Sequence, residues 1–256
     1  MKTPQFVTQM VAIAAISGST ASAVSLDLTA GGSGTLNGAL FITTTIQPTG
    51  SGVIDPFVRL SHTANNTTAQ GYNATARPVM PDVNTSPTFT HDLQLSAIPI
   101  VNGYYEFLLD INQTSANPLL SLDTLQLFSR STPLTTANTL AALTAAPSFL
   151  RYNLDSSDPS NEVLLNYSLA SGSGSGDLFA YIPQSAFSGV AGTDYVYLYS
   201  MFGAKGGAYA ENDGYEEWAV RTPGTPPQVP DGGATLALLG LALSGLGLAR
   251  RATSKA

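Results

Sequence analysis

Short runs of strand-like residues, each closed by glycine, asparagine or proline, recur along most of the chain. Residues 24–28 alternate between apolar and polar side chains, and residues 38–46 are rich in β-branched and apolar residues. Turn signals such as Asn102-Gly103 separate these runs. The pattern predicts a mainly β body over residues 24–221, folded as one antiparallel β-sandwich or jelly roll.

The other segments with strand character have the same short length. One helix is expected in the body, over residues 135–146. The further strands are expected at residues 57–60, 88–95, 104–111, 122–128, 163–169, 178–182, 195–202 and 216–220.

Composition excludes several kinds of chemistry. The chain has no cysteine, so it has no disulfide, thiolate metal site or cysteine nucleophile. Its net charge is −7, and four of its ten basic residues lie near the two ends, so the body is more acidic still. Such a body repels nucleic acid and attracts divalent cations.

Residues 234–249 form an uncharged segment of alanine, leucine, glycine, threonine and serine, and Arg250 and Arg251 follow it directly. As a helix, 16 residues rise about 24 Å, and the two arginines can snorkel to reach the rest of a ~30 Å hydrocarbon core. A buried core helix is the alternative. The segment is apolar on every side and ends in two charges, which favours a transmembrane helix with the arginines in the cytoplasm.

A short motif precedes this segment: Val229, Pro230, Asp231, Gly232 and Gly233. Motif, apolar segment and arginines together resemble the PEP-CTERM sorting signal in its VPDxG variant. In Gram-negative bacteria the resemblance implies an exosortase partner, an integral membrane protease or transpeptidase that removes the tail during export to the outer surface or matrix. Residues 222–229 are then a proline-rich linker, and residues 230–256 the sorting tail. The stretches 172–177, 195–203 and 214–218 are also similar to the bodies of proteins that carry this tail.

The N-terminal residues have the layout of a cleaved leader. Lys2 precedes the moderately apolar residues 6–16, and Ala21-Ser22-Ala23 is an A-x-A cleavage site. Residues 1–23 are therefore predicted to be a helical signal peptide, removed by signal peptidase so that the mature chain begins at Val24. An ordinary N-terminal helix is the alternative.

Acidic side chains are the best candidates for a metal site. Calcium binds six to eight oxygen atoms, often from acidic loops, although solvated acidic loops without metal have the same appearance. The calcium candidates are Asp110, Asn112, Asp123, Asp155, Asp158 and Glu162. Four further acidic residues, Glu211, Asp213, Glu216 and Glu217, lie close together near the last predicted strand.

Four aromatic residues are candidates for a polysaccharide-binding face. Tyr195, Tyr197 and Tyr199 lie at period two and so share one side of a strand, and Trp218 is the only tryptophan. Packing within the sandwich is the alternative use of the same rings.

Signs of catalysis are few. The chain has no G-x-S-x-G or H-E-x-x-H motif, and only His62 and His91 could act as imidazole bases. The leading interpretation is an exported, non-catalytic surface or matrix protein. A carbohydrate-binding module, stabilised by calcium, is the first alternative. A secreted glycan hydrolase is the second, and it requires two carboxylates facing each other across a cleft.

Overall fold

The computed structural model describes residues 24–46, 54–63, 65–155, 161–171 and 176–222. They form two seven-stranded sheets that enclose an apolar core, so the predicted mainly β body is confirmed. The predicted signal helix and transmembrane helix lie outside the described residues. Within these residues no helix is both long enough and apolar enough to span a bilayer.

Strands are numbered in chain order, and each sheet combines strands from both halves of the chain. The first sheet contains β1 (Ser25–Asp27), β5 (Ala69–Tyr72), β6 (Leu93–Gln94), β9 (Leu119–Arg130), β10 (Phe149–Asn153), β11 (Glu162–Asn166) and β13 (Tyr195–Phe202). The second contains β2 (Ser33–Leu36), β3 (Ala39–Ile46), β4 (Ile54–Leu60), β7 (Ile100–Val101), β8 (Tyr104–Asp110), β12 (Gly176–Pro183) and β14 (Glu216–Arg221). The helices are α1 (Leu140–Thr144) and 3-10 turns at Leu95–Ala97, Tyr167–Leu169, Gln184–Phe187 and Gly207–Tyr209.

The strand order brings sequence-distant segments side by side. The first sheet has the order β1-β11-β9-β13-β5, with β10 on β9 and β6 on β13. The second has the order β2-β3-β12-β8-β14-β4, with β7 on β8. The pairing of β1 with β11 is parallel, which corrects the expectation of purely antiparallel sheets.

Large side chains from both sheets fill the core. Trp218 of β14 and Phe202 of β13 are fully buried. Trp218 Nε1 donates a hydrogen bond of 3.0 Å to Ser200 Oγ of β13 and so links the two sheets. A buried indole N–H needs such a partner, because leaving it without one costs free energy.

Several predicted elements differ in the structure. Residues 88–91 are not a strand, since the amide groups of Phe89 and Thr90 both donate to the Ser86 carbonyl and form a turn; only Leu93 and Gln94 pair. The expected helix over 135–146 is just five residues long. The Thr139 side chain caps its start, and Ala146 precedes Pro147, a position that disfavours helical backbone. The pattern also missed β2, β5, β7 and β10.

Candidate functional site

Two of the calcium candidates lie together on the first sheet. The register of β9 and β11 places Glu162 opposite Asp123, and both line an open recess of about 240 Å³ that Lys205 also borders. Five of the seven lining residues are polar and the recess opens to solvent, which makes it the clearest candidate site among the predicted carboxylates.

Both carboxylates in this recess bind donors of the chain itself. Asp123 accepts hydrogen bonds from Ser121 Oγ (2.9 Å) and from the backbone amides of Ala204 (2.7 Å) and Lys205 (3.0 Å). Glu162 Oε1 accepts from Ser25 Oγ (2.8 Å) and pairs with Lys205 Nζ. Burial raises the pKa of Asp123, against the effect of its hydrogen bonds. In the described part of the chain, no three acidic or histidine side chains converge to hold a metal ion.

Asp155 is connected to the same region through Asn161. Asp155 Oδ1 accepts the Asn161 backbone N–H at 3.1 Å. Asn161 Oδ1 in turn accepts the backbone N–H of Val24 at 2.9 Å. Asp158 lies outside the described residues.

Asp110 and Asn112 belong to a different group, on the second sheet. The register places Asp110 of β8 between Asp177 of β12 and Glu217 of β14. The pKa of Asp177 is raised to about 9, mainly by burial and in smaller part by the nearby Asp110 charge, while a hydrogen bond from the Ile111 amide (2.8 Å) acts to lower it. Glu217 forms an ion pair with Arg59 of β4. Sequence reasoning missed Asp177, because only the pairing of β8 with β12 brings it to Asp110.

Glu216 and Glu211 are buried acids of the same end of the sandwich. Glu216 accepts hydrogen bonds from the Asn112 amide (3.1 Å) and Gln113 Nε2 (2.7 Å). Burial, then the charges of Glu211 and Asp110, raise the pKa of Glu216 well above its usual value. Glu211 pairs with His62. Both acids are almost fully buried in the described part of the chain, whereas a glycosidase needs two carboxylates that substrate can reach.

The predicted aromatic ligand face is not supported by the structure. Tyr197, Tyr199 and Trp218 are buried, so these three rings cannot stack on a sugar, and Tyr195 is partly buried and packs against the core. The Tyr197 hydroxyl accepts the Leu134 amide at 2.9 Å, and the Tyr199 hydroxyl donates to Gln70 Oε1 at 2.7 Å. Packing within the sandwich, which was the alternative prediction for these aromatic residues, is the role that the structure shows for the buried rings.

Two other tyrosines, on neighbouring strands of the second sheet, line an open recess of about 160 Å³. The Tyr104 and Tyr181 rings meet edge to face, with centroids 6.4 Å apart. The Tyr181 hydroxyl donates to Glu106 Oε2 at 3.0 Å, and Glu106 forms a buried ion pair with Arg221. No sequence motif connects these tyrosines, since β8 and β12 are far apart in the chain. The remaining lining residues are Leu40, Ile42, Val101 and Asn102.

The two targeting segments lie outside the described residues, so their evidence comes from sequence. The two segments comprise the predicted cleavage site at Ala21 and Ala23, the motif from Val229 to Gly233, and the segment 234–249 with Arg250 and Arg251.

Comparison with known proteins gives one finding. A protein-family model described as the VPDSG-CTERM motif matches residues 228–252. These residues include the five-residue motif, the whole apolar segment and Arg250 and Arg251; the chain has Gly232 where the name of the motif has serine. Searches of curated proteins and of solved structures found no match. The chain therefore carries a PEP-CTERM-type sorting signal of the VPDSG variant, which marks it as a secreted protein with a C-terminal sorting signal.

Proposed function

We propose that the chain is a surface or extracellular-matrix protein of a Gram-negative bacterium, with a non-catalytic β-sandwich body and a tail that an exosortase processes. The observation that carries the proposal is the match of the VPDSG-CTERM motif to residues 228–252. The motif is acted upon: the membrane enzyme reads residues 229–233, and the apolar segment presents them at the membrane face.

Export proceeds in a fixed order in this proposal. Signal peptidase removes residues 1–23, and the body crosses the inner membrane. Residues 234–249 then stop in the bilayer, with Arg250 and Arg251 in the cytoplasm. Cleavage at the motif releases the body to the surface or matrix, where an acidic, cysteine-free domain stays soluble through its charge.

The state of the titratable side chains supports a non-catalytic body. A hydrolase needs a base that is free to take a proton from a nucleophile or from water. Asp123 accepts three hydrogen bonds from its own chain, so its oxygen atoms are engaged by the fold.

Substitution within the motif tests the processing step. In the native host, we expect the double variant Pro230→Ala with Asp231→Asn to stay in the membrane fraction with its tail uncleaved. Pro226→Ala, a proline substitution just outside the motif, is the matched control and should be released like the wild type. Normal release of the double variant would contradict recognition of the motif.

A second candidate function is capture of extracellular polysaccharide at the Tyr104–Tyr181 recess. The observation in its favour is an open recess that combines two tyrosine rings with the polar Asn102. Sugar rings pack on aromatic faces and take hydrogen bonds from neighbouring polar groups. Affinity electrophoresis in the polysaccharide of the producing strain should show retardation that Tyr104→Ala reduces and that Tyr215→Ala, at an exposed tyrosine that does not line the recess, leaves unchanged. Equal mobility with and without polysaccharide would exclude this function.

A further inference from the structure

The residue that follows the predicted signal-peptide cut, Val24, is bound by the folded body. The Val24 backbone N–H donates to Asn161 Oδ1 at 2.9 Å, and the Val24 carbonyl accepts the Glu162 amide at 3.1 Å. Parallel pairing of β1 with β11 begins at the next residue, Ser25. The predicted cut and these two contacts therefore involve the same residue.

Asn161 is fixed in the orientation that this contact requires. The residue is only 3% exposed. Its Nδ2 donates to the Leu154 carbonyl at 2.9 Å, and its backbone N–H donates to Asp155 Oδ1 at 3.1 Å. Because an amide nitrogen cannot accept a hydrogen bond, the bond to Leu154 leaves the oxygen of the same amide pointing at Val24.

We infer that the body contains a binding site for a primary ammonium group, and that its ligand is the α-amino group that cleavage after Ala23 creates at Val24. The inference rests on the proposed removal of the signal peptide. Hydrolysis breaks the Ala23–Val24 C–N bond; water supplies the hydroxyl group of the new Ala23 carboxyl group and a hydrogen to the Val24 amine, which takes a further proton from solvent.

Cleavage changes what Val24 offers to this site. A peptide N–H provides one donor and no charge, whereas an ammonium provides three donors and a positive charge. The titratable groups of the surrounding elements are Asp155 after β10, Glu162 on β11, Asp123 on β9 and Lys205 after β13. Three are carboxylates, and the one cation is already paired with Glu162. The local charge therefore favours an added ammonium.

This site gives cleavage a structural consequence. β1 has three residues and lies at an edge of its sheet, so its pairing alone is weak. Asn166 Nδ2 donates to the Thr29 carbonyl at 3.0 Å and holds the far end of the same segment. A charge-assisted bond at Val24 would fasten the near end only in the mature chain.

The site has a definite pH dependence. The α-amino group of an unfolded chain has a pKa of about 7.7–8.0, and neighbouring carboxylates raise the pKa in the folded state. The stabilisation is thus complete below about pH 7.7 and is lost as pH rises through the raised value.

Amine acylation of the released protein tests the inference. Intact mass and N-terminal sequencing first establish which residue begins the chain. The lysines are Lys2, Lys205 and Lys255, so a chain processed at both ends has two primary amines, Val24 and Lys205. At pH 8 we expect the Val24 amine to react with acetic anhydride about fivefold more slowly in the folded chain than in urea, because a pKa about one unit higher lowers the unprotonated fraction from roughly one half to about one tenth.

Variants separate this site from general stability. Asn161→Ala should bring the folded rate close to that in urea, and Asn161→Asp, which adds a charge, should lower the rate below that of the wild type. Asn166→Ala loosens the same segment without touching Val24 and should leave the rate unchanged. Trp218 fluorescence reports whether each variant is folded.

The results distinguish the two proposals. A chain that begins at another residue overturns both the proposed cut and the ammonium site. A chain that begins at Val24, but whose amine reacts equally fast in the folded and unfolded states, overturns the site alone. If Asn161→Ala does not fold, a rate for Asn161→Asp equal to or above that of the wild type overturns the site.

Discussion

The hydrogen bond between Trp218 Nε1 and Ser200 Oγ supports a quantitative prediction about the sandwich. Both residues are fully buried, and the 3.0 Å bond joins β14 of one sheet to β13 of the other. Ser200→Ala removes the acceptor and leaves a buried N–H without a partner, which costs about 1–3 kcal/mol. For a domain of this size, that loss lowers Tm by about 3–9 °C.

The chain offers a direct assay, because Trp218 is its only tryptophan. Its fluorescence during urea unfolding reports on the sandwich core without background from other indoles. Ser33→Ala, at an exposed position in β2, is the matched control and should change the free energy of unfolding by no more than about 0.5 kcal/mol. A Ser200→Ala variant as stable as this control would refute the assignment of this bond as a stabilising link between the sheets.

Three further predictions concern a buried acid, a buried amide and a glycine that has no room for a Cβ atom. Asp177 has a pKa of about 9, so the folded chain holds a proton that the unfolded chain releases near pH 4, and stability falls as pH rises between these values. Asp177→Asn should therefore raise Tm more at pH 8 than at pH 5; an equal change at both would contradict the shifted pKa. The buried Asn73 side chain donates to the His91 and Val196 carbonyls and accepts the Leu198 amide. Asn73→Ala should therefore lower the free energy of unfolding, measured in urea, by about 2–4 kcal/mol. The control Asn65→Ala, at an exposed position, should lower it by no more than about 0.5 kcal/mol. Gly203 and Gly206 both have positive φ, but of the two only Gly203 lies where an added Cβ would meet backbone, 2.3 Å from the Thr67 carbonyl oxygen. Gly203→Ala should therefore lower Tm much more than Gly206→Ala does. Equal decreases in Tm would show that the positive φ alone determines the effect.

The strands that sequence predicted well are those with strong local signals. Residues 104–111 and 195–202 combine aromatic and β-branched residues, and both are long strands in the structure. The segment 88–95 had a similar alternation, but the Ser86 carbonyl accepts the amides of Phe89 and Thr90 in a turn, so only Leu93 and Gln94 join a sheet. β5, with the sequence Ala-Gln-Gly-Tyr, has little strand propensity and forms because it pairs with β13.

Site residues were predicted less well, because the relevant neighbours come from distant parts of the chain. The sequence offered Glu162 as a candidate calcium ligand but could not show that it is paired with Lys205. It placed three tyrosines on one face of a strand, which is correct for β13, but alternation does not reveal whether that face is covered. The Tyr104–Tyr181 recess depends on the register of β8 and β12, which no local pattern specifies.

The most direct test of the central claim is the intact mass of surface-released protein from the native host, compared between strains with and without the exosortase. The account predicts that release depends on the enzyme and that the released chain ends within or near residues 229–233. A chain that keeps residues 234–256 in both strains, and stays with the membrane in both, would contradict processing of the VPDSG-CTERM motif and make the tail a permanent anchor.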